Sequence, residues 1–167
     1  GVPHLDGSGL STSIPVTQEE SRAIRVSAER RRALVDVFLF HVNPDYAAAW
    51  RRYRSALRQR NAALRASAPC GPWEGAMSDA AQSLHDYRAS HVKSIAEQLP
   101  GALEALGLDV PCEVVYRPGW GVELPLVEVL RTTRDRDQAA GHTQAGPHRA
   151  DVGLRIAGPR RSMPPSA

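Results

Sequence analysis

Asp45-Tyr-Ala-Ala-Ala-Trp-Arg-Arg-Tyr-Arg-Ser-Ala-Leu-Arg-Gln-Arg-Asn-Ala-Ala-Leu-Arg-Ala66 is the stretch on which the fold turns. Its apolar positions Tyr46, Trp50, Tyr53, Leu57 and Leu64 repeat at spacings of four, three, four and seven, the seam of a long amphipathic or coiled-coil helix. Arg51, Arg52, Arg54, Arg58 and Arg65 fall off that seam. Pro69 to Trp73 breaks the pattern, and a second long helical period follows from about Glu74 through Met77, Ala80, Leu84, Tyr87, His91, Ile95, Leu99, Leu103 and Leu106. Two long helices joined by a short breaker predict an antiparallel pair, with Pro100-Gly101 bending or splitting the second.

Before this pair, Leu34, Val35, Val37, Phe38, Leu39 and Val42 cover most of a helix circumference, which predicts a short buried helix opened near Ser27. Asn43-Pro44 ends it, because the residue before proline avoids the α region and proline suits a first turn. After Gly107 the character changes. Cys112 to Tyr116 reads as a strand, Arg117-Pro-Gly-Trp120 as a turn, Pro125 to about Gln138 as a helix, and Val152, Leu154 and Ile156 alternate as a strand with one buried face. The fold class is mainly α with a small β portion (α+β). The organisation is a loop over residues 1–26, a helical lobe over 27–110, a strand, helix, loop and strand over 111–157, and a disordered tail over 158–167.

Length and composition bound the function. A chain of 167 residues makes about one domain. Neither a secretory signal nor an apolar membrane span is visible, so the default location is cytoplasmic. Cys70 and Cys112 stand apart without further ligand pattern, which argues against zinc. From Arg22 to Arg65 eleven Arg face three acids, an excess of eight positive charges; since the chain nets +3, the rest carries −5. Such a block suits phosphate, and Arg51, Arg52, Arg54, Arg58, Arg60 and Arg65 are the candidate DNA contacts. The competing reading is a solvated helix face. Trp50 and Tyr53 lie close by, but their seam spacing favours packing over base stacking. No helix-turn-helix, zinc finger or RNA-recognition motif is present, so DNA binding would be independent of sequence.

A second candidate is the loop Gly141-His-Thr-Gln-Ala-Gly-Pro-His-Arg-Ala-Asp151, too irregular for a helix and rich in turn formers. His142 and His148 flank a Gly-Pro turn, but two His and one carboxylate fall short of a metal set, and none is assigned. Histidine acid/base chemistry would make the chain a small enzyme, although no paired nucleophile is visible. Thr143, Gln144, His148 and Arg149 could instead donate to phosphate, with Gly146 allowing close backbone approach. The plainest reading is a turn in which Asp151 caps or pairs with Arg149.

Six segments together resemble the RecF family of recombination mediators, DNA-binding ATPases of the ABC/SMC type. They are Glu29-Arg-Arg-Arg-Ala-Leu-Val-Asp36, Phe40-His-Val-Asn-Pro44, Arg58-Gln-Arg-Asn-Ala-Ala-Leu-Arg65, Tyr116-Arg-Pro-Gly-Trp120, Arg134-Asp-Arg-Asp-Gln138 and the Gly141 loop, in the family's order. The resemblance implies that the loop leads from a helical lobe into the ATPase lobe, setting His142, Thr143, Gly146, Pro147, His148, Arg149 and Asp151 in or beside it. It also implies ATP and Mg as cofactors of the full-length family, and an ATP-dependent homodimer. DNA at single-strand gaps and RecO- and RecR-type proteins are the implied partners, in repair, replication restart and the SOS response. Lys93 is the sole lysine, so no Walker A loop is present, and no signature motif is either. Ala33-Leu34-Val35-Asp36 is like a Walker B strand only superficially, since it lies in a helical pattern. The similar region runs from Glu29 to Ile156, well under half of a full-length family member, and suggests a truncated or frame-shifted product. The expectation is a DNA-binding module that neither hydrolyses ATP alone nor binds it tightly. The alternatives are a helical protein-interaction module without DNA binding, and a chain too incomplete to fold stably.

Overall fold

A computed structural model of the chain describes residues 27–156; the expected loop at 1–26 and tail at 158–167 lie outside them. Helix α1 (Ala28–Val42) begins where the Ser27 hydroxyl accepts from the Arg30 amide at 3.3 Å, an N-cap bond. Helix α2 (Pro44–Arg65) follows without a loop. The Asn43 side chain accepts from the Asp45 and Tyr46 amides, and Pro44 supplies the first-turn φ. Helix α3 (Gly71–Ala105) is the longest element, 35 residues or about 52 Å.

Helices α2 and α3 form the expected antiparallel pair. Arg60 meets Glu74 beside the connection, while Tyr46 meets Arg88 at the far end, so partners diverge in sequence as they recede from the turn. Tyr46, Ala49, Tyr53 and Ala56 on α2 face Met77, Ala80, Ala81 and Leu84 on α3, and Val35 and Leu39 of α1 join this core. Its burial drives the assembly, since apolar area removed from water contributes about 25 cal/mol per Å2.

Strand β1 (Cys112–Arg117) pairs antiparallel with β2 (Asp151–Ile156), Val114 opposite Leu154 and Arg117 opposite Asp151. Between them run α4 (Leu126–Thr132), α5 (Arg134–Ala140) and a single 3-10 turn over Pro147–Arg149. Leu126 and Leu130 seal the α4 side of the core. The architecture is thus mainly α with a small two-stranded sheet.

Four local expectations differ. Helix α3 runs through Pro100 without interruption, because so near its carboxyl end the ring removes one hydrogen bond and little helix lies beyond. The helix expected over Pro125 to Gln138 is two short ones, parted at Thr133, whose hydroxyl bonds the Val129 carbonyl at 2.9 Å alongside its own amide, a back-bond that bends helices. Helix α1 is buried on one side only: Val35 and Leu39 are inside, whereas Leu34, Val37, Phe38 and Val42 lie open at 72, 55, 48 and 57%. Strand β2 likewise fails to bury one face beyond Val152, with Leu154 and Ile156 exposed, because nothing among the described residues packs over that end of the sheet.

Candidate nucleic-acid interface

At 100° per residue, Arg51, Arg54, Arg58 and Arg65 fall within an arc of about 60° on α2, opposite the side that packs on α3. All four are exposed, as is Arg52, further round the helix. None of the five forms an ion pair among the described residues. Arg54 lays its guanidinium over the Trp50 indole, 4.8 Å from the ring centroid. Trp50, Arg51, Arg54 and Arg58 together line a shallow surface cleft. The row is therefore a line of cations with unfilled donors. Trp50 also packs edge-on to Phe40 at 5.4 Å, so it serves the core and the surface at once.

Arg60 does not belong to this row. It is completely buried and cannot reach a phosphate in solution. Its Nη1 donates to Asp137 at 2.7 Å and to the Thr143 hydroxyl at 2.8 Å, its Nε to Glu74 at 3.2 Å, and its Nη2 to the Leu130 carbonyl at 3.0 Å. Glu74 accepts in turn from Arg134 at 2.6 Å, and Asp137 from the Gln144 amide. Charges so deep hold only when every partner is present. The sequence carried a sign of this: the seven-residue gap between Leu57 and Leu64 skips one seam position, and Arg60 fills it.

Arg88 repeats the device on α3 and has no place in the sequence reading of the site. It is 3% exposed, grips Asp36 through Nε and Nη2 at 2.8 Å, and donates to the Pro147 carbonyl at 2.8 Å. Tyr46 completes the cluster by donating to Asp36 at 2.6 Å. Its hydroxyl is pushed above the ordinary phenol range, chiefly by burial.

The Gly141 to Asp151 loop is braced from within. Thr143 accepts from Arg60 and donates its hydroxyl to Asn61 at 2.7 Å, and its amide also donates to Asn61. The Gln144 amide group donates to the Arg136 carbonyl. His148 Nε2 lies 3.1 Å from the Thr143 carbonyl, which can only accept, so that nitrogen carries the proton and Nδ1 accepts from the Tyr53 hydroxyl at 2.6 Å. Burial drives the His148 imidazolium pKa down to about 4. Gly146 has φ +131°, and a side chain there would collide with the Tyr53 hydroxyl. His142 stays outside with Nδ1 on the Ala140 carbonyl, so the two histidines do not converge. Asp151 does not pair with Arg149, which is exposed; it takes a two-pronged bond from Arg31 at 2.9 and 2.8 Å, and Arg117 approaches to 4.0 Å. Arg31 holds the Asp151 carboxyl below its usual range. Of the loop's candidate phosphate donors, Thr143 and His148 are committed internally and Arg149 points to solvent.

No family model matches the chain. It is 40% identical over 131 residues to the DNA replication and repair protein RecF of Thioalkalivibrio sulfidiphilus, a match covering 77% of this chain and 36% of the relative. RecF of Stutzerimonas stutzeri is 35% identical over 155 residues, covering 88% and 42%. RecF of Pseudomonas aeruginosa is 36% identical over 157 residues, covering 89% and 42%. Among solved structures, the recombination mediator protein RecF-ATP in the RecFOR pathway superposes with a TM-score of 0.72 at 18% identity, covering 84% of this chain and 42% of that one, and the RecF-ATPrS structure matches equally. The chain spans about two fifths of the length of these relatives. With 35 to 40% identity over 77 to 89% of its length and the same fold underneath, the chain belongs to the RecF family of DNA replication and repair proteins.

Proposed function

We propose that this chain is the DNA-gripping helical part of a RecF-type recombination mediator, holding nucleic acid by its phosphates through Arg51, Arg52, Arg54, Arg58 and Arg65. The observation that carries the reading is the exposed row on α2 whose guanidinium groups meet no carboxylate among the described residues, in a chain where Arg60, Arg88 and Arg31 are all paired. Five like charges along one exposed stretch of helix raise the local positive potential and attract polyanions. Such contact is electrostatic and indifferent to sequence. By its family the chain acts at gapped DNA in the cytoplasm with RecO- and RecR-type partners, as part of an ATP-dependent dimer. Without a phosphate-loop lysine in these residues, ATP hydrolysis and the Mg that supports it fall to other parts of a full-length protein.

The test is anisotropy of a labelled duplex and a gapped duplex titrated with the chain across a salt series. Five phosphate contacts give a slope of log K against log salt of about −4 to −5. Replacing Arg51, Arg54 and Arg58 by Gln reduces that slope by about 3. A slope near zero, or one the triple replacement leaves unchanged, sinks the reading. A protein-interaction role has its own support in the apolar stripe of Leu34, Val37, Phe38 and Val42, since contiguous exposed apolar surface marks contact sites. On that alternative neither the parent chain nor the triple Gln variant binds DNA at low salt.

A further inference from the structure

Helix α3 outruns the bundle. Tyr46, in the first turn of α2, lies opposite Arg88, and no α3 residue beyond Val92 is buried. The helix ends in a Schellman turn: the Leu108 amide donates to the Leu103 carbonyl at 2.9 Å and the Gly107 amide to the Glu104 carbonyl at 2.9 Å, with Gly107 at the left-handed φ of +71° that this closure requires. The turn folds the chain back on the helix end and leaves a groove of about 580 Å3 walled by Pro100, Leu103, Leu108, Val110 and Pro111. That volume lies within the range of ligand pockets. Leu106, Leu108 and Val110 are 73, 48 and 37% exposed here, and apolar surface gathered in this way marks a contact site.

Electrostatics narrows what the groove can hold. A helix carboxyl end carries partial negative charge, which Lys or Arg in the last turn offsets. The last turn of α3 has no base and instead carries Glu104. Glu104 and Asp109 both line the groove, and neither forms an ion pair among the described residues. From Ser94 to Tyr116 the sequence holds four acids and no base. Lys93 meets Glu97 and Arg155 meets Glu113, so the uncompensated pair of carboxylates is the one at the groove. A polyanion is repelled there, and a cation is drawn in. We propose that the groove docks a segment of another protein in which an aliphatic side chain is flanked by Lys or Arg. The aliphatic group enters between Leu103, Leu108 and Pro111, while the cations meet Glu104, Asp109 and the negative end of α3. The groove uses no residue of the arginine row, so the inference stands apart from the DNA-binding reading.

The experiment titrates the chain into a fluorescein-labelled peptide, Lys-Leu-Arg-Lys-Leu-Ile-Lys, and into its charge-reversed form, Glu-Leu-Glu-Glu-Leu-Ile-Glu, and follows anisotropy. The basic peptide is expected to bind and the acidic one to stay free. Glu104→Gln together with Asp109→Asn should weaken the basic peptide about tenfold, and Leu108→Ser about fivefold, while affinity for a DNA duplex does not fall. Removing Glu104 relieves repulsion at the helix end, so the thermal midpoint of the double variant should hold or rise, and its weaker binding cannot be put down to unfolding. The unmodified chain gives a second readout, because half-buried Cys112 lies in the groove wall and Cys70 is buried elsewhere. Bound basic peptide should slow alkylation of Cys112. Equal binding of both peptides, no binding of the basic one at millimolar concentration, full affinity in the double variant, or unslowed Cys112 alkylation each overturns the proposal. A parent chain that is dimeric in sedimentation and made monomeric by the double replacement assigns the groove to a second copy, which also overturns it. None of these results bears on the arginine row, whose own test is the salt series.

Discussion

Arg60 has a different task from the arginines around it, and replacing it by Met tests that assignment. The substitution removes the cation paired with Asp137 and one partner each of Thr143 and Glu74 while their burial persists, so unfolding stability in denaturant should drop by about 3 to 5 kcal/mol. Adding Asp137→Leu to Arg60→Met should recover part of that loss, because the stranded carboxylate goes with it. An exposed neighbour such as Arg58→Met should cost less than about 0.5 kcal/mol. His148 offers a second test at this scale. Its folded pKa of about 4 lies below the ordinary 6.5, so between these values the unfolded chain binds a proton that the folded chain lacks. Stability should therefore fall as pH drops from about 6.5 toward 4, by about 2 to 3 kcal/mol from this residue. In His148→Gln that component should be missing from denaturant midpoints compared at pH 7 and pH 4.5; an equally steep decline would refute the assignment. The sequence marked both residues but misjudged them, since charge and motif membership say nothing of depth. Arg88, nearly as deep as Arg60, carried no mark because the α3 seam was drawn through Tyr87, one position before it, and His91, three positions after it.

At the scale of elements, long periods were legible and short ones were not. Twenty-two residues of α2 repeat their apolar positions often enough to set direction, partner and turn, which is why the antiparallel pair could be read from spacing alone. The seven-residue helices α4 and α5 hold too few turns for a period, and Thr133 divides them through a side-chain bond that no pattern reveals. Pro100 shows the opposite limit, where a strong local breaker is overruled by a helix already nucleated for about eight turns before it. Replacing Pro100 by Ala restores the amide that can donate to the Ala96 carbonyl. Stability should rise by about 1 to 3 kcal/mol in thermal melts, with little change in fold. A fall in stability would mean that the ring itself is needed there.

The whole molecule is unevenly covered. Its core between α2 and α3 is closed on every side, yet Leu34, Val37, Phe38 and Val42 on α1 and Leu154 and Ile156 on β2 remain open to water. Sequence reading placed these residues inside because it assumed that each apolar position would find a neighbour; hydrophobicity reports a need for cover and not whether cover is present. Changing Leu34 and Val42 to Lys should therefore alter unfolding free energy by less than about 1 kcal/mol while reducing self-association in sedimentation. A loss as large as that from a buried Leu would show that the face is closed in solution.

The bond from Arg31 to Asp151 joins residues 120 positions apart, with Arg32 fastened to Ala150 beside it. Nearly the entire described polypeptide is strung between the two jaws of that buckle. Under tension applied at either flank, the load would fall first on a pair of partly wet ion contacts and only afterwards on the dry helical bundle, making the buckle a fuse that lets the sheet swing free while the bundle keeps its shape.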